Sequence, residues 1–378
     1  METSILAANL TRLRVMKGLS QAQLAEESGL SRQAYRNLET GQSEPRTRTL
    51  VAVAAALKVG VDELLRPTRE LHGVRFRSSK KMATRSQILA DVARWLDDYN
   101  DLETLLDSHC EYRFALPKSR KKKCPVEVAA LAREQIELGP GELIRDICGL
   151  LEDHGVKVYL PHFASEGFFG LSVSAKGGGP AVIVNTWERI SVERWIFSAA
   201  HELGHLLLHL GAYDVDQTEE SPEQEREADL FASHFLMPNE VFQQEWDEAW
   251  GRPIVDRVFK LKQMFRVSYK TVLYRVQENT GNKDIWRQFY AAYRRRFGKV
   301  PGKTDEPEPL GPDDFGPAPV AKSAHEPQGL RDSLFMDDRL WGLVRHAVES
   351  DEISLGRAAE ILRVDLRAMR DISNGWVG

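Results

Sequence analysis

Helical periodicity dominates this chain, and between residues 156 and 185 it gives way to the β-rich pattern of VKVYLP, GFFGLSVS and PAVIVN. These are short β-rich runs punctuated by Gly and Pro, too few to bury both faces of a sheet on their own. The amphipathic run SVERWIFSAAHELGHLLLHL follows directly from Ser191. A small sheet covered by a long helix is therefore the predicted core, and the fold class is mainly α with a small antiparallel β-sheet (α+β).

That helix carries HELGH, residues 201–205. Residues four apart on a helix differ by only about 40° in azimuth, so His201 and His205 project from one face and can ligate one Zn²⁺. Glu202, beside the first histidine, is placed to serve as a general base toward water rather than as a ligand. A hydrolytic zinc site needs a third protein ligand, and the next helix, SPEQEREADLFASHFLMP, offers carboxylates. Glu225 and Asp229 share a face, whereas Glu227 points about 200° away from Glu225 and reads as surface charge. A carboxylate that accepts the spare N–H of a ligating histidine is a common requirement, which gives Asp229 a supporting role.

Other residues near the motif are assigned plainer roles. His209 lies about 12 Å along the helix axis from His201 and is read as structural or as support for a ligand. His234, about 180° round its helix from Glu225, should face away from the metal. Gly204 sits inside a helix at about 1 kcal/mol relative to Ala, implying a close neighbour, for which GFFGLSVS is the expected choice. Tyr213 is a weak candidate for stabilising an oxyanion. If a sheet edge borders the zinc, an extended peptide could add there as a strand.

HELGH followed by EREADLFASHFLMP resembles the ImmA/IrrE metallopeptidases, in which HExxH precedes a helix with an E-x-x-A-[ND]-x-F-A pattern ending in Met-Pro. The resemblance spans about residues 140 to 280. It implies a zincin-like core in which His201, His205 and Glu225 hold Zn²⁺ and Glu202 is the catalytic base. It also implies a protein substrate of the kind that family cleaves, a transcription repressor or antitoxin.

Residues 5 to 66 form a series of short helical segments, each closed by a glycine (Gly18, Gly29, Gly41) and reopened by a capping serine (Ser20, Ser31). LSQAQLAEESGLSRQAYRNLETGQSEP resembles the helix-turn-helix of the XRE family. Leu24, Ala25, Leu30, Tyr35 and Leu38 can fix two helices at an angle that exposes the start of the second to a major groove. Ser31 would cap that helix, Arg32, Gln33 and Arg36 would face base edges or phosphates, and Gln21 would approach the backbone. The resemblance makes Arg32 the principal base-reading residue.

Charge sharpens this expectation. The whole chain is acidic at −5, so contact with double-stranded DNA must be local. Residues 1–66 hold nine Lys and Arg against seven Asp and Glu, a modest +2, and a homodimer or the basic residues of 69–81 would strengthen binding. Three cysteines, Cys110, Cys124 and Cys148, without C-x-x-C spacing suggest neither a disulfide framework nor a thiolate zinc site, and read as reduced cytoplasmic thiols. The apolar run Leu50 to Leu57 is far short of the roughly 20 residues that span a bilayer, so no membrane association is expected.

The expected organisation is a helix-turn-helix domain over 1–68, a basic linker and helical connector over 69–139, and the metallopeptidase core over 140–240. A helical subdomain over 241–300 echoes a helix-turn-helix, a Pro-rich linker covers 301–332, and a small helical domain closes the chain over 333–378. KSRKKK (118–123) reads as a solvated basic stretch. The predicted function is a DNA-binding regulator with a zinc-dependent endopeptidase domain acting in a stress or mobile-element response. The rivals are a zinc-containing regulator that cleaves nothing and an antitoxin-like binding protein.

Overall fold

A computed structural model describes residues 5–65, 71, 73–78, 85–114, 124–165, 167–209, 213, 221–302, 305–307 and 338–376. KSRKKK and nearly all of 301–332 lie outside the described residues. The chain divides into two compact units, one comprising residues 1–71 and 81–100, the other 72–80 and 101–378. No helix among the described residues is long and apolar enough to cross a membrane.

The first unit holds α1 (Ile5–Met16), α2 (Gln21–Glu27), α3 (Arg32–Glu39), α4 (Thr47–Leu57) and α5 (Val61–Leu65). Serines and glycines set these boundaries as the sequence predicts. Ser20 forms a capping box with Gln23, and Ser31 Oγ accepts from the Ala34 N–H at 3.1 Å. Gly18, Gly29 and Gly41 all take positive φ, between 67° and 70°. Leu10, Leu13, Leu24, Ala25, Tyr35, Leu38, Val53, Ala54, Leu57 and Leu64 form the core. Beside it, Glu39 on α3 is gripped by Arg14 of α1, whose Nε and Nη2 both donate to the carboxylate. This pair pins the angle between the two helices.

The second unit contains β1 (Val74–Ser78), and α6 (Arg85–Leu105) enters it at Asp101. Then come α7 (Pro125–Gln135), α8 (Ile147–Asp153), β2 (Lys157–Tyr159), β3 (Phe168–Val173), β4 (Ala181–Val184), α9 (Val192–Leu208) and α10 (Pro222–Leu236). Four further helices follow, α11 (Asn239–Glu248), α12 (Ile254–Phe265), α13 (Tyr269–Thr280) and α14 (Ile285–Phe297). The last three are α15 (Asp338–Glu349), α16 (Leu355–Leu362) and α17 (Leu366–Asn374).

The sheet is small, as expected, with strand order β1-β3-β4-β2, but it is mixed rather than antiparallel. β2 pairs β4 in parallel, Val158 opposite Val182, while β3 is antiparallel to both neighbours. Short strands with both faces buried carry no alternation from which direction could be read. A second correction concerns residues 69–81, predicted to be linker: residues 74–78 are the strand β1. Five residues with alternating Arg look polar and aperiodic in sequence, and only the partner strand makes them a strand.

The division at residue 240 also does not hold as a core boundary. One hydrophobic core joins Val182 and Val184 of the sheet, Ala199 and Leu203 of α9, Phe231 and Phe235 of α10, and Val258, Tyr269, Val276 and Phe289 from α12 to α14. The helix-turn-helix echo in α12 and α13 is packing, with Val258, Leu261, Val272 and Leu273 all buried. The start of the predicted Pro-rich linker is anchored as well. Glu306 accepts from the Tyr269 N–H at 3.1 Å and pairs with the buried Lys262 at 3.2 Å. The C-terminal helices join the same unit through Arg339, which donates from its backbone to Glu152 at 3.0 Å and from Nη1 to Glu103 at 2.5 Å.

Candidate metal centre and nucleic-acid interface

Helix α9 packs against β3 on one side and α10 on the other, and its centre is sealed. His201, Glu202 and His205 are at most 1 % exposed. A buried imidazole pair opposite a carboxylate is costly unless each polar atom is engaged, and here each engagement has a direction.

His201 Nδ1 lies 2.8 Å from Asp229 Oδ1. An ionised carboxylate only accepts, so Nδ1 carries the proton and Nε2 is left with its lone pair. His205 Nδ1 lies 2.9 Å from His209 Nδ1, and His209 Nε2 lies 2.9 Å from Glu227 Oε2. Glu227 must accept from His209 Nε2–H, so the neutral His209 accepts at Nδ1 from His205 Nδ1–H. Burial pulls both imidazoles below their ordinary pKa, the neutral form this network requires. His205 Nε2 is thereby also left with its lone pair.

The two Nε2 atoms are 2.9 Å apart, and Glu225 closes the triangle, Oε2 at 3.3 Å from His201 Nε2 and Oε1 at 3.2 Å from His205 Nε2. Ligands about 2.0–2.1 Å from a tetrahedral ion are separated by about 3.3 Å, so this donor set fits a zinc-sized cation. Among the described residues these three form the group able to hold a metal.

The structure thus brings together His201, His205, Glu225 and Asp229, with Glu202 next to His201 in sequence and turned toward β3. Two expectations change. Glu227, read as surface charge, is half-buried and orients His209, which is the capping residue just past the end of α9. Gly204 meets Phe231 of α10 rather than β3, and a Cβ there would lie 2.8 Å from Phe231 Cδ1. The residue that β3 does face is Glu202. A Cβ on Gly170 would lie 3.2 Å from Glu202 Oε1, and Ser172 Oγ donates to Glu202 Oε2 at 2.8 Å. Tyr213 donates in turn to Ser172 Oγ at 2.9 Å, and burial raises its phenol pKa. It supports the glutamate through Ser172. His234 faces away, as predicted, toward Glu278 and Arg275.

Sequence reasoning missed Ser172, whose small polar side chain in an apolar strand was the available signal. It also missed Arg75, opposite Ser172 on β1, whose Nη2 donates to Glu225 Oε1 at 3.1 Å and whose Nη1 donates to Gln224 at 2.5 Å.

In the first unit, Arg32, Gln33 and Arg36 are exposed on α3, with Ser31 capping its start. Gln33 Nε2 donates to Asn37 along the same face at 2.9 Å. Gln21 is drawn inward, its Nε2 donating to Glu39 at 3.2 Å. It serves the packing of α2 on α3 in this structure.

Comparison with known proteins gives two family matches, a helix-turn-helix model over residues 10–64 and an IrrE N-terminal-like domain, in the Peptidase_M78 family, over residues 151–277. The chain is 41 % identical over 66 residues to the uncharacterized HTH-type transcriptional regulator y4dJ of Sinorhizobium fredii, covering 18 % of this chain and 86 % of that one. It is 39 % identical over 59 residues to the prophage-derived HTH-type regulator YonR of Bacillus subtilis, covering 16 % of this chain and 55 % of the relative. It is also 42 % identical over 45 residues to the cryptic phage CTXphi transcriptional repressor RstR of Vibrio cholerae, covering 12 % and 40 %.

Proposed function

The chain belongs to the HTH-type transcriptional regulators and also carries an IrrE N-terminal-like domain, and on that premise we propose a DNA-binding regulator with a zinc-dependent endopeptidase. The observation that carries the catalytic half is the convergence of two lone-pair-bearing Nε2 atoms on Glu225, on the helix that also carries the buried Glu202.

His201, His205 and Glu225 would hold Zn²⁺, which when bound supplies Lewis acidity toward a peptide carbonyl and eases deprotonation of water. Glu202 takes the proton of the attacking water and returns it to the leaving amine. Ser172, backed by Tyr213, fixes the Glu202 carboxylate, so that the base keeps one orientation through both transfers. Asp229 and the Glu227–His209 pair hold each imidazole in the tautomer that turns a lone pair inward. The substrate is a transcription repressor or antitoxin, and the helix-turn-helix brings the enzyme to double-stranded DNA or controls its own operon.

Zinc titration against a chromophoric chelator tests the metal half. The wild type and Glu202→Gln should each take one ion per chain with similar affinity, and His205→Ala should lose it. Unchanged zinc uptake by His205→Ala would remove the site from consideration.

A further inference from the structure

Strand β1 lies in sequence between the helix-turn-helix and the candidate catalytic residues, yet it occupies the outer edge of β3. Val74 stands opposite Val173 and Arg75 opposite Ser172. The other edge of β3 is taken by β4. Gly170 and Ser172 of β3 both meet Glu202, so the edge that β1 covers is the one along which an extended peptide could reach the glutamate by strand addition.

The pairing has its own anchors. Gly73, at φ +69°, is in a conformation that β-branched residues rarely adopt, and a Cβ there would lie 2.4 Å from Ser174 Oγ. Its carbonyl accepts from the Ser174 N–H at 2.9 Å, fixing the start of the strand. Arg75 then reaches Glu225 and Gln224, with its side chain 11 % exposed. The residue opposite Ser172 therefore sends a positive charge across the site to the carboxylate expected to ligate metal.

We infer that β1 is an internal occupant of the peptide-binding edge, and that a protein substrate enters by displacing it with an extended segment bearing a basic residue opposite Ser172. The word substrate rests on the peptidase reading; the docking of β1 does not. Exchange at this edge couples the segment that follows the helix-turn-helix to access at Glu202.

The test uses a fluorescein-labelled peptide, GVRFRSS, copying residues 73–79, titrated into the full-length wild type, Gly73→Val and Arg75→Gln and read by anisotropy. Gly73→Val loosens the native strand and should bind the peptide about ten-fold tighter than the wild type. A peptide with Gln in place of its arginine at the Arg75 position should bind that variant more weakly. Hydrogen exchange over residues 168–173 should quicken in Gly73→Val and slow again when the peptide is added. Equal affinities for wild type and variant overturn the inference, as does faster exchange without peptide binding. If Gly73→Val loses its thermal transition, Arg75→Gln carries the comparison, with tighter binding than wild type expected and equal binding overturning the claim. Zinc content measured on the same samples keeps the two readings apart, since a chain without zinc sinks the metal site and leaves the peptide result standing.

Discussion

At the level of single residues, the site was legible where spacing on one helix decides the outcome and hidden where the partner comes from elsewhere. His201, His205 and Glu202 follow from HELGH, and Glu225 and Asp229 from the geometry of a second helix; the two histidines meet Glu225, Asp229 meets His201, and Glu202 turns to Ser172 of β3. Ser172, Arg75 and the Glu227–His209 pair could not be read, because strand register and contact between two separate helices place them. Asp229→Asn can still accept from His201 but without its charge, and should weaken zinc binding about 10- to 100-fold in the chelator titration. On α3, Arg32→Ala should cost about 1–3 kcal/mol against a DNA site selected from random duplexes by the wild type, and relax preference at one base pair. Equal affinity of Arg32→Ala for selected and scrambled duplex, at the wild-type level, would show that α3 does not read DNA.

At the level of elements, caps and glycines announced the helices of the first unit, while the sheet was read only in outline. Its mixed topology and its fourth strand, β1, depend on long-range pairing that a five-residue polar run does not signal. Helix contact makes its own demand at Gly204, where α9 and α10 approach until a methyl group would overlap Phe231. Gly204→Ala should gain helix propensity but lose more to overpacking, a net loss of about 1–2 kcal/mol in urea unfolding. A stabilised variant would mean that the helices are free to separate. Glu306 offers a test by pH. Burial, partly opposed by Lys262, lifts its pKa from 4.5 to about 7, so the folded state holds the proton more tightly than the unfolded one. Its contribution is therefore fully present below about 4.5 and declines as pH rises toward 7. Glu306→Gln should flatten that segment of the stability profile, and an unchanged slope would contradict the assignment.

At the level of the whole molecule, a helix-turn-helix and a buried histidine–carboxylate centre share one chain, and the strand between them in sequence lies along the edge of the sheet that faces Glu202. A net charge of −5 leaves only confined surfaces for a polyanion, so composition restricts any DNA contact to a local patch. It could not foretell that α11 to α14 share the core of α9 and α10, because apolar faces do not name their partners. In the proposed function, Glu202 drives peptide hydrolysis once the edge of β3 is free. The most direct test of this expresses wild type and Gly73→Val in cells, each with and without Glu202→Gln, quantifies bound zinc, and maps new protein N-termini across the proteome. All four chains should hold zinc, and new termini in a repressor or antitoxin should depend on Glu202 and be more abundant with Gly73→Val. Four zinc-loaded chains with the same set of termini would contradict the account.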